Sequence, residues 1–253
     1  MSNAGGNQEP RVSIIVPAYQ ESDAILPVLQ RFANAVQLPF ECLVIVDSEE
    51  DSTIPAVEKV SVDDMRFRTL INTYGRGPSN AIRFGIDSAN APCVVVTMAD
   101  GSDDPRQIDT LVELVERGVV VAAASRYMAG GQQVGGPLVK STLSRTAGLT
   151  LRMFARVGTS DATNSFKAYN TDFVREVGID SREGFVLGLE LTAKARRLGL
   201  PVAEIPTIWL ERDIGESHFE VKKWLPYYLK WYRFAFGPKL TVEQLKQRAK
   251  KLS

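Results

Sequence analysis

Five short apolar runs set the frame within which this chain can fold. They stand at 12–16 (VSIIV), 42–46 (CLVIV), 67–71 (FRTLI), 93–97 (CVVVT) and 119–124 (VVVAAA). Most are rich in Val and Ile and continuous rather than alternating, the pattern of strands covered on both faces of a parallel sheet. Stretches of helical character lie between them, at about 22–36, 53–64, 78–90 and 105–117. Pro78 and Pro105 stand near first turns, where proline is tolerated, and Ser22 and Asp104 are placed as N-caps. Strand, helix, strand repeated in this way predicts a doubly wound α/β sheet.

The rhythm changes beyond residue 125. A Gly-rich loop at 129–136 leads to a long helix from about Pro137 to Arg156, then a loop and strand (SDATNSFKAYN), a helix at 184–198 and a strand near 203–210. This pattern predicts a second, α+β lobe packed on the first without a flexible linker. Residues 1–10 read as a loose polar tail, and 241–252 as a solvated basic helix.

Composition narrows the function classes. The chain is 44% hydrophobic, and 30 basic residues balance 30 acidic ones. Such a chain does not have the composition of a disordered one. It also has no net positive field with which to collect nucleic-acid phosphates. Cys42 and Cys93 lie inside apolar runs, and His218 is the single histidine, so neither a disulfide framework nor a zinc signature can be assembled. No secretory leader pattern opens the chain, and the expected compartment is the cytosol.

In open parallel sheets ligands bind outside the carboxyl ends of the strands. Three carboxylates follow three strands closely: Glu21, Asp47 and Asp100. Each alone reads equally well as a helix cap; together they predict a shared site. MADGSDDP (98–105) is the densest acidic cluster, and Asp100 with Asp103 or Asp104 is enough for Mg²⁺, which takes one or two protein carboxylates plus substrate phosphates. A turn with an N-cap at Asp104 is the competing reading. NTYGRGPSNAIRFG (72–85) brings Gly75 and Arg76 to the same edge, where backbone donors and a cation can position a diphosphate, although it is neither a P-loop nor a GxGxxG fingerprint.

Taken in order, VSIIVPAYQES, VIVDSEEDST, NTYGRG, SNAIRFG and MADGSDDP resemble the inverting family-2 glycosyltransferases with the GT-A fold. SRYMAGG, PLVKSTLSR, SDATNSFKAYN and IPTIWLERDIGESHF are similar to the dolichyl-phosphate mannosyltransferase branch, the polyprenyl-phosphate glycosyl synthases. The resemblance spans about residues 11–236. It implies a GT-A domain over 11–220 followed by C-terminal amphipathic aromatic and basic helices over 221–253. It also implies that Pro17, Tyr19, Glu21 and Asp47 hold the nucleoside of a GDP- or UDP-hexose, and that the acidic motif binds Mg²⁺ or Mn²⁺. Members carry Asp-x-Asp with a Gln two residues on; here Asp100 matches by distance from its strand and Asp103 by distance from Pro105. The residues for an acceptor phosphate map onto Arg126, Lys140, Ser144 and Arg212. Lys140 stands where an arginine is usual, and His218 where a lysine is.

The implied reaction moves a hexose, mannose or glucose, to a polyprenyl or dolichyl phosphate with inversion. A phosphate monoester has lost its second proton near pH ~6, so it is nucleophilic at neutral pH and needs cations to aim it rather than a base. Asp161 is expected to position the sugar or the catalytic loop, and otherwise reads as a turn aspartate. Two other readings stand beside this one. A soluble saccharide or other hydroxyl acceptor would need a base, an aspartate of 100–104 or Asp161. A nucleotide-sugar-binding subunit without turnover would need neither.

Seven aromatics crowd residues 224–236. The segment Trp224–Pro238 covers roughly 22 Å as a helix, short of a hydrocarbon core about 30 Å thick. One stripe (Trp224, Tyr228, Trp231) and another (Leu225, Leu229, Tyr232, Phe236) point different ways, with Lys222, Lys223, Lys230 and Arg233 nearby. This predicts either two internal faces or one packed face and one lying on lipid headgroups, peripherally on the inner membrane face.

Overall fold

The structure, a computed structural model, describes residues 8–135, 138–210 and 221–250. The five apolar runs form β1 (Val12–Pro17), β2 (Phe40–Val46), β3 (Phe67–Ile71), β4 (Cys93–Val96) and β5 (Val121–Ser125). The crossovers carry α1 (Leu26–Ala35), α2 (Thr53–Asp63), α3 (Pro78–Asp87) and α4 (Ile108–Glu116). Every residue of β1, β2, β4 and β5 is buried. Alternate side chains feed two cores: Ile14, Val44 and Val95 pack under α1 and α4, while Ile15, Ile45 and Val94 pack under α3. Continuous apolar sequence is what two covered faces require. Cys42 and Cys93 are buried free thiols within this sheet.

The remaining elements are β6 (Gln132–Val134), α5 (Leu138–Thr150), β7 (Lys167–Asn170), α6 (Thr171–Val177), α7 (Leu187–Leu198), β8 (Val202–Pro206), β9 (Ile208–Leu210), α8 (Val221–Ala235) and α9 (Val242–Lys250). The main sheet runs β3-β2-β1-β4-β7-β5-β8, and β6 pairs with β9 in a separate ribbon. The expected second lobe therefore shares the sheet: β7 inserts antiparallel between β4 and β5, and β8 adds parallel to β5. The strand foreseen over 203–210 divides at Thr207. Its amide donates to the Ser125 carbonyl at 3.0 Å and its carbonyl accepts from the Gln132 amide at 2.9 Å, which carries the chain from sheet to ribbon. The long helix ends as α5 and then a π-helical turn, Leu151–Ala155.

Local signals explain most boundaries. The Asp104 carboxylate accepts from the Arg106 amide at 3.1 Å, the cap foreseen for it. Ser22 is not a cap. It opens a 3-10 turn (Ser22–Ile25) with left-handed backbone (φ 50°), and its hydroxyl donates to Ser52 at 2.8 Å. α8 packs across α7 and the π-helical turn. There Trp231, Phe234 and Ala235 join Leu151, Ala155 and Val157 in a third core. No described helix is long and apolar enough to cross a membrane.

Candidate active site

Strand order reverses between β1 and β4, and in open α/β sheets that reversal opens a crevice at the carboxyl edge. The loop after β1 lines it. Pro17 is buried at the strand end, while Tyr19 is 73% exposed at the rim. Buried Asp51 pins this loop to the start of α2: its carboxylate accepts from the Gln20 amide at 3.1 Å and the Thr53 amide at 2.9 Å. The Glu21 amide donates to the Thr53 hydroxyl at 3.0 Å, which stations half-buried Glu21 on the crevice side of β1.

Asp47, directly after β2, holds the neighbouring loop. Its two oxygens accept from the Asn72 side-chain amide and from the Gly77 amide, each at 2.8 Å. Asn72 also donates to the Gly75 carbonyl at 2.6 Å. Gly77 has φ 108° and ψ 157°, a backbone region open essentially to glycine, and that turn delivers the chain into α3. Exposed Arg76 is thereby set on the crevice rim. Each Asp47 oxygen retains a lone pair for a ligand, since a carboxylate offers about four acceptor sites.

The acidic turn after β4 assigns its three aspartates different work. Asp104 caps the following helix and pairs with Arg106 at 2.7 Å, which removes it from the metal candidates. Asp103 is buried, and its Oδ2 accepts from the Thr97 hydroxyl at 2.9 Å and the Met98 amide at 3.1 Å. Burial pushes its carboxyl up to about 6 against those hydrogen bonds. Asp100 is half-buried at the strand end, and its Oδ1 accepts from the Ser102 amide at 2.9 Å. Arg31 ties the turn down from α1, donating to the Gly101 carbonyl at 2.7 Å and the Asp103 carbonyl at 3.1 Å.

The family resemblance implies a divalent cation, and the donor set fits one. Asp100 stands at the crevice with the Asp103 carboxylate just beneath it, and the described residues contain no group of three or more His, Cys, Asp or Glu placed to hold a metal ion. That suits a cation completed by substrate phosphates better than an all-protein cage.

A second cluster follows β5. The Asp161 carboxylate, fully buried, accepts from Arg126 Nε at 2.7 Å and Nη2 at 3.0 Å, a bidentate pair, and from the Arg126 amide at 3.1 Å. Burial pushes the Asp161 carboxyl up, and the Arg126 guanidinium outweighs it, holding the group below its ordinary range. The Ser144 and Thr163 hydroxyls share a hydrogen bond at 2.6 Å, joining α5 to the same loop. Asn164 donates from its side chain to the Ala124 carbonyl at 2.8 Å. Beneath the loop, fully buried Lys167 donates to the carbonyls of Ala162 and Asn164. Burial pulls the Lys167 ammonium down to about 8. Arg126 and Asp103 perturb each other's titration, so the two clusters adjoin.

Of the residues singled out from sequence, Pro17, Tyr19, Glu21, Asp47, Gly75, Arg76 and Asp100 line the carboxyl edge, and Asp103 lies just beneath it. Arg126, Asp161 and Ser144 form the adjoining cluster. Lys140 lies on α5 with its side chain outside the described residues, and Arg212 and His218 lie outside them altogether. Sequence reasoning passed over Asp51, Asn72, Arg31 and Lys167. Asp51 did carry a signal, because an Asp two residues before Thr at a helix start is a capping pattern. Lys167, in a four-residue strand, carried none.

Residues 13–178 match the family described as Glycosyl transferase family 2. The undecaprenyl-phosphate mannosyltransferase of Micrococcus luteus is 30% identical over 214 residues, 82% of this chain and 86% of that protein. The polyprenol monophosphomannose synthase of Mycolicibacterium smegmatis is 28% identical over 231 residues, 85% of this chain and 86% of that one. Among solved structures, a mannosyltransferase from Pyrobaculum calidifontis in complex with GDP-Man and Mn²⁺ superposes with a TM-score of 0.65 at 17% identity, covering 96% of this chain and 70% of that one. Glucosyl-3-phosphoglycerate synthase from Mycobacterium tuberculosis, in complex with Mn²⁺, UDP and phosphoglyceric acid, gives 0.66 at 15%, covering 92% and 80%. At those identities the structural likeness speaks for the fold, which is GT-A. With the family match extending over most of the sheet and all three carboxylate loops, the chain belongs to glycosyl transferase family 2.

Proposed function

We propose that this glycosyltransferase moves a hexose from a nucleotide-sugar to a polyprenyl phosphate, with inversion at the anomeric carbon. One observation carries the choice of acceptor. The carboxylate of the second cluster, Asp161, is fully buried and engaged through both oxygens by Arg126. It is held as the partner of Arg126 rather than left free as the base that a hydroxyl acceptor requires. A phosphate monoester needs none, and Arg126 with Ser144 offers a cation and a hydroxyl to aim it. The named activities of the two mannosyltransferase relatives support the same acceptor class and make mannose the first sugar to try.

Each group then has a part. Tyr19, Glu21 and Asp47 hold the nucleoside, with Pro17 ending the strand beneath it, and Gly75 and Arg76 approach the diphosphate. Asp100 and Asp103 would hold Mg²⁺ or Mn²⁺, which when bound neutralises charge on the leaving diphosphate. Asp161 orients Arg126 through Nε and Nη2, leaving Nη1 to meet the acceptor phosphate, whose oxygen attacks the anomeric carbon as the nucleoside diphosphate departs. The family resemblance adds Lys140 and Arg212 as further cations for the acceptor phosphate.

The test is transfer from a panel of radiolabelled GDP- and UDP-hexoses into organic-extractable product, with a short polyprenyl phosphate and Mg²⁺ or Mn²⁺. Labelled lipid that disappears in Asp100→Ala supports the reading and names the donor. Release of nucleoside diphosphate without labelled lipid overturns the acceptor.

A further inference from the structure

The helix that carries Ser144 leaves large apolar side chains in solvent farther along its length. Met153 is 59% and Phe154 68% exposed in the π-helical turn, and Leu149 stands beside them, also exposed. Leu229 of α8 and Phe236, just past its end, are exposed as well. The two elements meet where the Thr150 and Tyr232 hydroxyls share a hydrogen bond at 2.9 Å. Met153 and Phe154 lie one turn beyond Thr150, and Leu229 and Phe236 lie one turn either side of Tyr232, so the apolar side chains flank this contact. Inward of it, Leu151, Ala155, Trp231 and Ala235 already fill the third core, so the outer residues are not needed for packing. Soluble surfaces rarely keep so many large side chains together without a use.

Charge identifies the occupant. Over residues 138–157 and 221–239 the sequence holds nine Lys and Arg and no Asp or Glu, in a chain whose 30 basic and 30 acidic residues balance overall. Arg152 is held by Glu204 of β8, and the remaining cations of these two segments suit an anionic lipid surface, where side chains enter the acyl boundary while Lys and Arg meet headgroup phosphates. The position fits as well. From Ser144 to Phe154 is ten residues, about 15 Å of helix. On the other side, Tyr228 of α8 lies within electrostatic reach of Arg126.

We infer that the joined outer faces of the π-helical turn and α8, centred on Met153, Phe154, Leu229 and Phe236, dock this protein on anionic lipid bilayers. The inference goes beyond the proposed reaction in naming the surface, and rests on it only for why a lipid surface should adjoin the acceptor cluster. The half of this face on the π-helical turn was not foreseen from sequence, which located only the aromatic helix.

The test is co-sedimentation with vesicles of phosphatidylcholine alone or with about one third phosphatidylglycerol, without nucleotide or acceptor. The wild-type protein is expected on the anionic vesicles, less so at 0.5 M salt, and little on the neutral ones. Met153→Ser with Phe154→Ser should weaken partitioning by about tenfold or more at unchanged Tm, as should Leu229→Ser with Phe236→Ser. Turnover of a short, water-soluble polyprenyl phosphate should be retained by both pairs. Failure of the wild type to bind, equal binding by the variants, or a wild-type dimer that becomes monomeric in them overturns the inference. The vesicle assay contains no substrate, so it can fail while the transferase assay succeeds, and the reverse.

Discussion

Two buried carboxylates illustrate how single residues in this fold are committed before any substrate arrives. Glu41 accepts from Ser13 at 2.6 Å, the Asn90 amide at 2.7 Å and Arg68 at 2.9 Å. Burial pushes its carboxyl up, and these donors together bring it below its ordinary value near 4.5. A depressed folded pKa stabilises above the unfolded value and is lost as pH falls through the folded one. Glu41→Gln should therefore cost about 1–3 kcal/mol at pH 7, with the gap to wild type closing below about pH 4. Denaturant unfolding across pH 3–7 checks this, and a constant gap contradicts it. Asp161 is bound more tightly into its pair. Arg126→Lys loses the bidentate geometry. It should raise the acceptor KM by roughly tenfold while leaving the donor KM within about threefold. Steady-state kinetics with each substrate varied in turn separates the two, and equal shifts would make Arg126 merely structural.

At the scale of elements, the approach of α5 to the 159–164 loop decides whether Ser144 reaches Thr163. Gly148 makes that approach possible, because a Cβ there would run into the Ser160 carbonyl oxygen, a backbone atom that cannot swing aside. Gly148→Ala should destabilise by about 1–3 kcal/mol, a fall in Tm of roughly 3–10 °C, and weaken acceptor use along with it. An unchanged Tm by calorimetry would mean that α5 can shift freely. The same scale marks where sequence stops being informative. Four of the five runs of the first half were legible because burial on both faces leaves a continuous apolar signature, and edge strand β3 kept enough of one to be read. α6 was not, since its seven residues give less than two clear turns of periodicity. The antiparallel insertion of β7 between β4 and β5 was not either, because pairing partners far apart in sequence leave no local mark. At the site, Asp47, Asp100, Asp161 and Arg126 were singled out from the sequence, but the hydrogen bonds that hold the three carboxylates, from Asn72, Ser102 and Arg126, are fixed only by the folded loops. Asp104 was rightly foreseen as a cap, and Ser22 wrongly, because Asp51 draws the loop ahead of it into a left-handed turn.

Taken whole, the molecule sets a carboxylate-lined crevice at the β1–β4 reversal beside a cluster built on an arginine, and beyond that an apolar face on two segments rich in Lys and Arg. The order suits a reaction that joins a charged, water-soluble donor to a phosphate on a lipid. Asp161, the carboxylate of the Arg126 cluster, is committed to its arginine rather than free to act as a base, which suits an acceptor that arrives already nucleophilic. The most direct measurement is a competition between a polyprenyl phosphate and the polyprenol of the same chain length, each offered with the same labelled nucleotide-sugar and Mn²⁺ at pH 7. Label should enter the phosphate and leave the alcohol untouched; an alcohol glycosylated at a comparable rate would contradict the account.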